Sequence, residues 1–298
     1  MSFRDWTLII LLGIIWGFSF PFNAILLREL GPLWVSAGRV GIGALASWVF
    51  VLAIKKSIPT DIKLLAKLAL LGTLTYAVPF ALFPLAQLHL SAGVAAIINA
   101  FTPITTVIVS HLWIGGEKAT LTKVLGVAAG FTGVAILAIP AFEAGGTSQI
   151  WAIGAGLLAT FCYASSLNYT KSLNHVDPSI LATIALTGAA ISAVAAALIF
   201  EGVPVVTKSE TWFALIGIGV FTTALAFQIM YRMLPRVGPT NFTVTTFIAP
   251  ISAITLSILW LNEELLPVHI YGMMAIFAGL LLIDGRLVRS KKKLKRQA

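Results

Sequence analysis

An arginine inside a long apolar run is the side chain with most chemistry to offer in this sequence. Arg39 lies seven residues beyond Pro32, in a stretch that stays apolar to about residue 54. At a rise of about 1.5 Å per residue that places it roughly 10 Å in from the end of a helix. An intramembrane charge costs on the order of 3 kcal/mol on insertion scales, so such a residue faces protein or a water-filled cavity. Its guanidinium fork fits a solute carboxylate in two parallel hydrogen bonds. The alternative is structural: snorkelling toward the interface, or capping the carbonyls of a neighbouring helix. Either way, the positive sign at that depth favours a neutral, zwitterionic or anionic solute over a cation.

A second group of polar side chains is distributed through other apolar runs: Asn23, Tyr76, Gln87, Asn99, Tyr163, Asn168, Gln228, Tyr231, Thr243 and Thr246. Lipid offers them no hydrogen-bond partner, so they are expected to point inward. Of these, Asn23, Tyr76, Asn99, Tyr163 and Thr246 are candidate solute contacts, the alternative being hydrogen bonds between helices worth about 0.6 kcal/mol each. Trp16, Phe83, Phe227 and Phe242 are candidates for an apolar lining, and Phe101 belongs to the same set. Pro79, Pro103 and Pro250 are hinge candidates, because each removes a backbone hydrogen bond within a helix; static bends are the competing reading.

The acidic residues are equally informative. All 11, from Asp5 to Asp284, fall at the ends of apolar runs or between them, so no buried carboxylate is available for a proton relay. Glu117 and Glu264 are expected to sit at the start of a following helix, where the positive dipole end favours an anion. Catalytic arrangements are missing. The 4 histidines are scattered without ligand spacing, Ser165-Ser166 have no base nearby in sequence, and no phosphate-binding glycine loop occurs. Cys162 stands alone, which excludes an internal disulfide and a cysteine metal cluster. No cofactor, metal or enzymatic activity is expected.

These residues must be positioned by membrane helices. Only 10% of the residues are charged and 58% are hydrophobic, less than half the charge a soluble surface requires. Runs long enough to cross a bilayer occupy about 6–27, 32–54, 66–88, 91–113, 121–141, 149–170, 178–200, 211–233, 238–261 and 267–287. The first is too long for a cleaved leader and reads as a span. With the N-terminus inside, nearly all lysine and arginine falls in cytoplasmic loops, leaving Arg28 and Lys208 outside. Both termini are therefore expected in the cytoplasm. The net charge of +9 is concentrated in those loops and the 289–298 tail, a membrane-orientation pattern rather than a nucleic-acid one.

The chain also repeats itself. Ala77, Pro103, Trp113 and Glu117 align with Ala224, Pro250, Trp260 and Glu264 at one constant offset, which also pairs Asn99 with Thr246. Gly126 and Gly133 then match Gly272 and Gly279 after a slip of one residue. Two five-helix units are expected, over 1–144 and 145–288. Five is odd, so the second unit is inverted relative to the first, an arrangement used for alternating access.

Each unit carries a proline, about fourteen residues of apolar helix, an acidic residue and a glycine-bearing helix. These are Pro103 to Glu117 with Gly126 and Gly133, and Pro250 to Glu264 with Gly272 and Gly279; Trp16-Gly17 and Arg39 complete the pattern. In these residues the sequence resembles the EamA family of the drug/metabolite transporter superfamily, most closely the YddG-type exporters of amino acids, including aromatic ones. The resemblance implies an all-α fold of ten transmembrane helices around a central cavity, and export of small metabolites across a bacterial inner membrane by a monomer. Amino acids are the expected solute; other metabolites or lipophilic drugs are the alternative, and a non-transport membrane protein a more remote one. The second unit departs from the pattern, with Ala159 opposite Trp16.

Overall fold

The computed structural model describes residues 2–143, 146–173, 175–242 and 244–284. The expected junction of the two units at 144/145, Thr243 and the 289–298 tail lie outside the described residues. Among the described residues ten helices are long and apolar enough to cross a membrane: α1 (Phe3–Leu26), α2 (Pro32–Ala53), α3 (Ile62–Gln87), α4 (Ala92–Leu112), α5 (Leu121–Pro140), α6 (Thr147–Thr170), α7 (Pro178–Phe200), α8 (Ser209–Met233), α9 (Val244–Leu261) and α10 (Pro267–Asp284). The chain is a multi-pass, all-α membrane protein.

Several starts follow from local chemistry. Proline opens α2 and α7, where its missing N–H and fixed φ cost nothing. The side chains of Asp61, Ser91 and Asp177 accept hydrogen bonds from the first-turn amides of α3, α4 and α7. One expected boundary is corrected. Gly238-Pro239 does not begin a new helix, because the helix of α8 runs on through Phe242. Past Arg232 and Arg236 this extension has left the apolar run, and water can solvate the carbonyl that a proline frees.

Among the described residues four spans are interrupted. In α1 the helix breaks at Phe18 between Phe3–Gly17 and Ser19–Leu26. Pro21 explains the break, since its ring displaces the carbonyl of Gly17 four residues earlier. In α4 the segments Ala92–Asn99 and Thr102–Leu112 meet just before Pro103. The Asn99 carbonyl that Pro103 cannot serve receives instead the Thr102 hydroxyl at 2.7 Å. The third is α3, which carries a wide π-helical turn over Thr73–Ala77, ending two residues before Pro79. A matching π-helical stretch, Gly217–Leu225, lies in α8 without any proline, so proline is not their shared cause. Pro250, in contrast, sits within a continuous helix.

Helix pairing repeats along the chain. α1 packs on α8 and α9, and α6 packs on α3 and α4; α3 packs on α7, and α8 on α2. Exchanging each helix for the one five places away reproduces this pattern, with α2–α7, α4–α9 and α5–α10 pairing with themselves. Each of those self-pairs is antiparallel. Glu201, after α7, meets Leu33 at the start of α2, while Lys56, after α2, pairs with Asp177 before α7 at 2.6 Å. Glu263, after α9, meets Ala92 at the start of α4. A Cβ on Gly126 would lie 2.6 Å from the Gly279 carbonyl, and one on Gly133 2.7 Å from that of Gly272. The small residues of α5 thus pack within the chain, as do Gly13 and Gly17 against Ile248 and Ser252 of α9.

Carboxylates tie the helix ends together. Glu201 accepts from the amides of Leu33 and Trp34 at 2.9 and 3.0 Å, and Glu263 from those of Ala92 and Gly93 at 2.7 and 3.1 Å. Both sit on the positive end of another helix. The residue expected in such a role was Glu264, which is exposed; its neighbour Glu263 takes the amides, and of α4 rather than α10. Glu117 does meet the next helix, in an ion pair with Lys123 in the first turn of α5 at 2.5 Å.

Glu29, between α1 and α2, takes hydrogen bonds from the hydroxyls of Thr207 and Thr211 and the amides of Lys208 and Thr207. These, the Thr207 hydroxyl foremost, hold its carboxyl at about 2. An unfolded glutamate titrates near about 4.3. The depressed native value therefore stabilises the fold above that pH, and the contribution fades as pH falls toward 2. In acid melts of detergent-solubilised protein, Glu29→Gln should show a shallower fall of melting temperature between roughly pH 4.5 and 2 than the parent.

Candidate functional site: Arg39 and the aromatic file

Arg39 is buried, with 6% of its surface exposed. Helix α2 carries it to the junction of α1, α3 and α8. Its Nε donates to Thr223 Oγ1 at 3.0 Å and its Nη2 to Ser19 Oγ at 3.3 Å. The π-helical stretch of α8 prepares the first contact, because the Thr223 hydroxyl donates to the Ile218 carbonyl five residues back and leaves its lone pairs to Arg39. Ser19 lies just after the break in α1. The guanidinium carbon stands 3.5 Å from the centroid of the Phe80 ring, a close cation–π contact. Among the described residues no carboxylate pairs with Arg39.

Around this cation the rings form a continuous file. Phe242 meets Trp16 at 5.9 Å between centroids, Trp16 meets Phe227 at 6.1 Å, and Phe227 meets Tyr76 at 4.9 Å. Tyr76 touches Phe80, which leads to Tyr163, then Phe83 and Phe20. The hydroxyls of Tyr76 and Tyr231 are 3.3 Å apart. At the far end Asn23 Nδ2 donates to Gln87 Oε1 at 2.9 Å, and Gln87 Nε2 donates to the Phe20 carbonyl at 3.0 Å. The Asn23 oxygen is buried without a partner among the described residues.

Seven of the ten expected contact residues, namely Trp16, Arg39, Tyr76, Phe83, Tyr163, Phe227 and Phe242, thus belong to one connected cluster. Asn23 sits at its edge, beside Phe20. Asn99 and Thr246 are half-buried on α4 and α9, which pack together. The rings touch one another, and a cavity of about 240 Å³ lies elsewhere, between α2 and α8; none of the ten residues lines it.

The residues 6–139 and again 150–284 match the EamA-like transporter family. The chain belongs to that family. It is 22% identical over 98% of its length, and 97% of the other chain, to a probable terminal-alkyne amino-acid exporter of Streptantibioticus cattleyicolor. The transporter YvbV of Bacillus subtilis is 25% identical over 99% of this chain and 94% of its own, and the protein PecM of Dickeya dadantii 23% over 82% of each. A protein of known crystal structure shares the fold with a TM-score of 0.67 at 17% identity, over 97% of this chain and 99% of that one. The chain is accordingly a membrane transporter of the drug/metabolite transporter superfamily.

Within this EamA-family transporter, sequence reasoning had not singled out Ser19, Phe80 or Thr223. A signal for two of them was present. The repeat offset that aligns Ala77 with Ala224 also aligns Tyr76 with Thr223 and Phe80 with Phe227. The partners of Arg39 are therefore the repeat mates of residues already marked. Ser19 carries no such mark, since its role follows from the break in α1.

Proposed function

We propose that this transporter exports small amino acids, neutral or aromatic, with Arg39 engaging the carboxylate and the ring file receiving the side chain. The observation that carries this reading is a buried guanidinium held by neutral hydroxyls and a ring, with no carboxylate partner among the described residues. It has charge to give to an anionic group and a fork to orient it. A relative described as a probable amino-acid exporter adds support. Residues 1–144 and 145–288 act as two inverted halves, a reading supported by the antiparallel packing of α2 on α7, α4 on α9 and α5 on α10. Rocking of those halves opens the file to either side in turn, with Pro79, Pro103 and Pro250 as flexing points. Asn99 and Thr246, on the paired helices α4 and α9, meet the solute as the rings part.

Transport is facilitative in this reading, because the described carboxylates lie at helix ends or between helices rather than deep inside the bilayer. The protein works as a monomer in the bacterial inner membrane with both termini in the cytoplasm. Counterflow in liposomes with labelled amino acids, nucleosides and sugars tests the assignment. Exchange of aromatic and neutral amino acids, without stoichiometric proton movement, is expected. Exchange confined to nucleosides, sugars or lipophilic cations would overturn it.

A further inference from the structure

The cavity between α2 and α8 has a graded chemistry that the transport reading does not use. It reaches the outer surface of the helix bundle, where Leu225 of its lining is 43% exposed. At one end stands Arg232, whose guanidinium lies over the Phe50 ring at 4.6 Å and which pairs with no carboxylate among the described residues. One helical turn deeper, about 6 Å along α8, Gln228 lines the wall. Its residue is only 6% exposed, and both amide atoms lack a hydrogen-bond partner among the described residues. Across from it Ser47 of α2 is 1% exposed, with its hydroxyl equally unpartnered. Beyond them the walls are apolar as far as Val220, roughly 12 Å from Gln228 along the helix.

A buried amide and hydroxyl without partners are costly in an apolar medium, so their presence in a cavity wall asks for a ligand that supplies acceptors. The order along the cleft is a cation, then hydrogen-bond donors one turn deeper, then an apolar trough. That order matches a phospholipid: phosphate, ester carbonyls about one helical turn below it, and acyl chain. We propose that the α2–α8 cleft is a binding site for one anionic phospholipid of the leaflet in which Arg232 lies. Its phosphate engages Arg232, its ester carbonyls accept from Gln228 Nε2 and Ser47 Oγ, and one acyl chain fills the trough toward Val220. An uncompensated arginine at the mouth favours a net-anionic headgroup over a zwitterionic one.

Native mass spectrometry of the full-length protein in detergent, titrated with phosphatidylglycerol or phosphatidylcholine, reads the site directly. One phosphatidylglycerol is expected to saturate it with several-fold higher affinity than phosphatidylcholine. Arg232→Gln should reduce the phosphatidylglycerol affinity roughly fivefold and erase the headgroup preference. Gln228→Leu should weaken both lipids alike. It should leave the lipid-free melting temperature unchanged or raised, since it removes an unpaired buried amide. Ala46→Trp, which fills the cleft, should abolish the specific adduct. Equal binding of both lipids by the parent would overturn the proposal, as would retention of phosphatidylglycerol by folded Ala46→Trp. If Ala46→Trp does not fold, unchanged lipid affinities in Gln228→Leu overturn it.

Discussion

Replacing Arg39 by glutamine should lower amino-acid exchange on the order of a hundredfold while leaving the protein folded and at least as resistant to heat. The first half of this result follows from the carboxylate. A hydrogen bond to a charged group contributes about 1.5–3 kcal/mol, which is about 10- to 150-fold in affinity or rate, and the fork makes two such bonds. The second half follows from what Arg39 lacks in the structure. Its contacts are two hydroxyls and the Phe80 ring, with no counter-ion among the described residues, so removing the charge strands no buried carboxylate. Glutamine can still meet Thr223 or Ser19. Lysine keeps the charge but loses the fork and the flat stacking surface, so Arg39→Lys should fall between, at about tenfold. Counterflow rates together with melting temperatures in detergent separate the two roles. A structural arginine would give the reverse pattern, with exchange intact in whatever folded protein remains and a lowered melting temperature.

The spans were legible because hydrocarbon thickness filters sequence so strongly. Each apolar run read from residue types coincides with a helix to within a few residues, except the ninth, which starts later because α8 continues through Phe242. Helix interruptions were less legible. Pro103 marks its break, whereas Pro250, at the same repeat position, lies in an unbroken helix. A proline removes one hydrogen bond in either case; whether the backbone parts there depends on neighbours that sequence does not name. The capping carboxylate shows the same limit. Glu263 and Glu264 are adjacent and chemically alike, and only the approach of α4 decides which one receives the Ala92 and Gly93 amides. Most rings of the file, namely Trp16, Tyr76, Phe83, Tyr163, Phe227 and Phe242, were visible as large side chains within apolar runs, whereas Phe20 and Phe80 were not. The file's connection to Arg39 was not visible either, since it runs through Phe80, and the hydroxyl that holds the guanidinium there, Thr223, is set by the π-helical turn of α8.

The same single methyl should have opposite consequences at two glycines, and the contrast measures how tightly the halves are joined. A Cβ on Gly72 would stand 1.7 Å from the Ala185 carbonyl oxygen and 2.7 Å from the Ala185 Cα, both backbone atoms of α7. Gly188 answers from the other side, where a Cβ would lie 2.3 Å from the Ala69 Cα. No rotamer change relieves either contact, so Gly72→Ala must push α3 and α7 apart along their crossing. Overpacking costs typically 1–3 kcal/mol where side chains can adjust, and here a cost of about 3 kcal/mol or more is expected because they cannot. Gly41, within α2, has no atom within 4 Å of its would-be Cβ. Gly41→Ala should therefore be neutral or stabilising by up to about 1 kcal/mol, since alanine is the better helix former. Melting temperatures of both variants in one detergent read the difference, with helix propensity favouring alanine at each site. Tyr76 lies one turn beyond Gly72 on α3 and touches Phe80 and Phe227. Whatever Gly72→Ala protein folds should accordingly lose exchange as well, because widening the α3–α7 crossing shifts a ring of the file next to Arg39. Full stability and full exchange in Gly72→Ala would mean that α3 and α7 cross with more room than this packing allows.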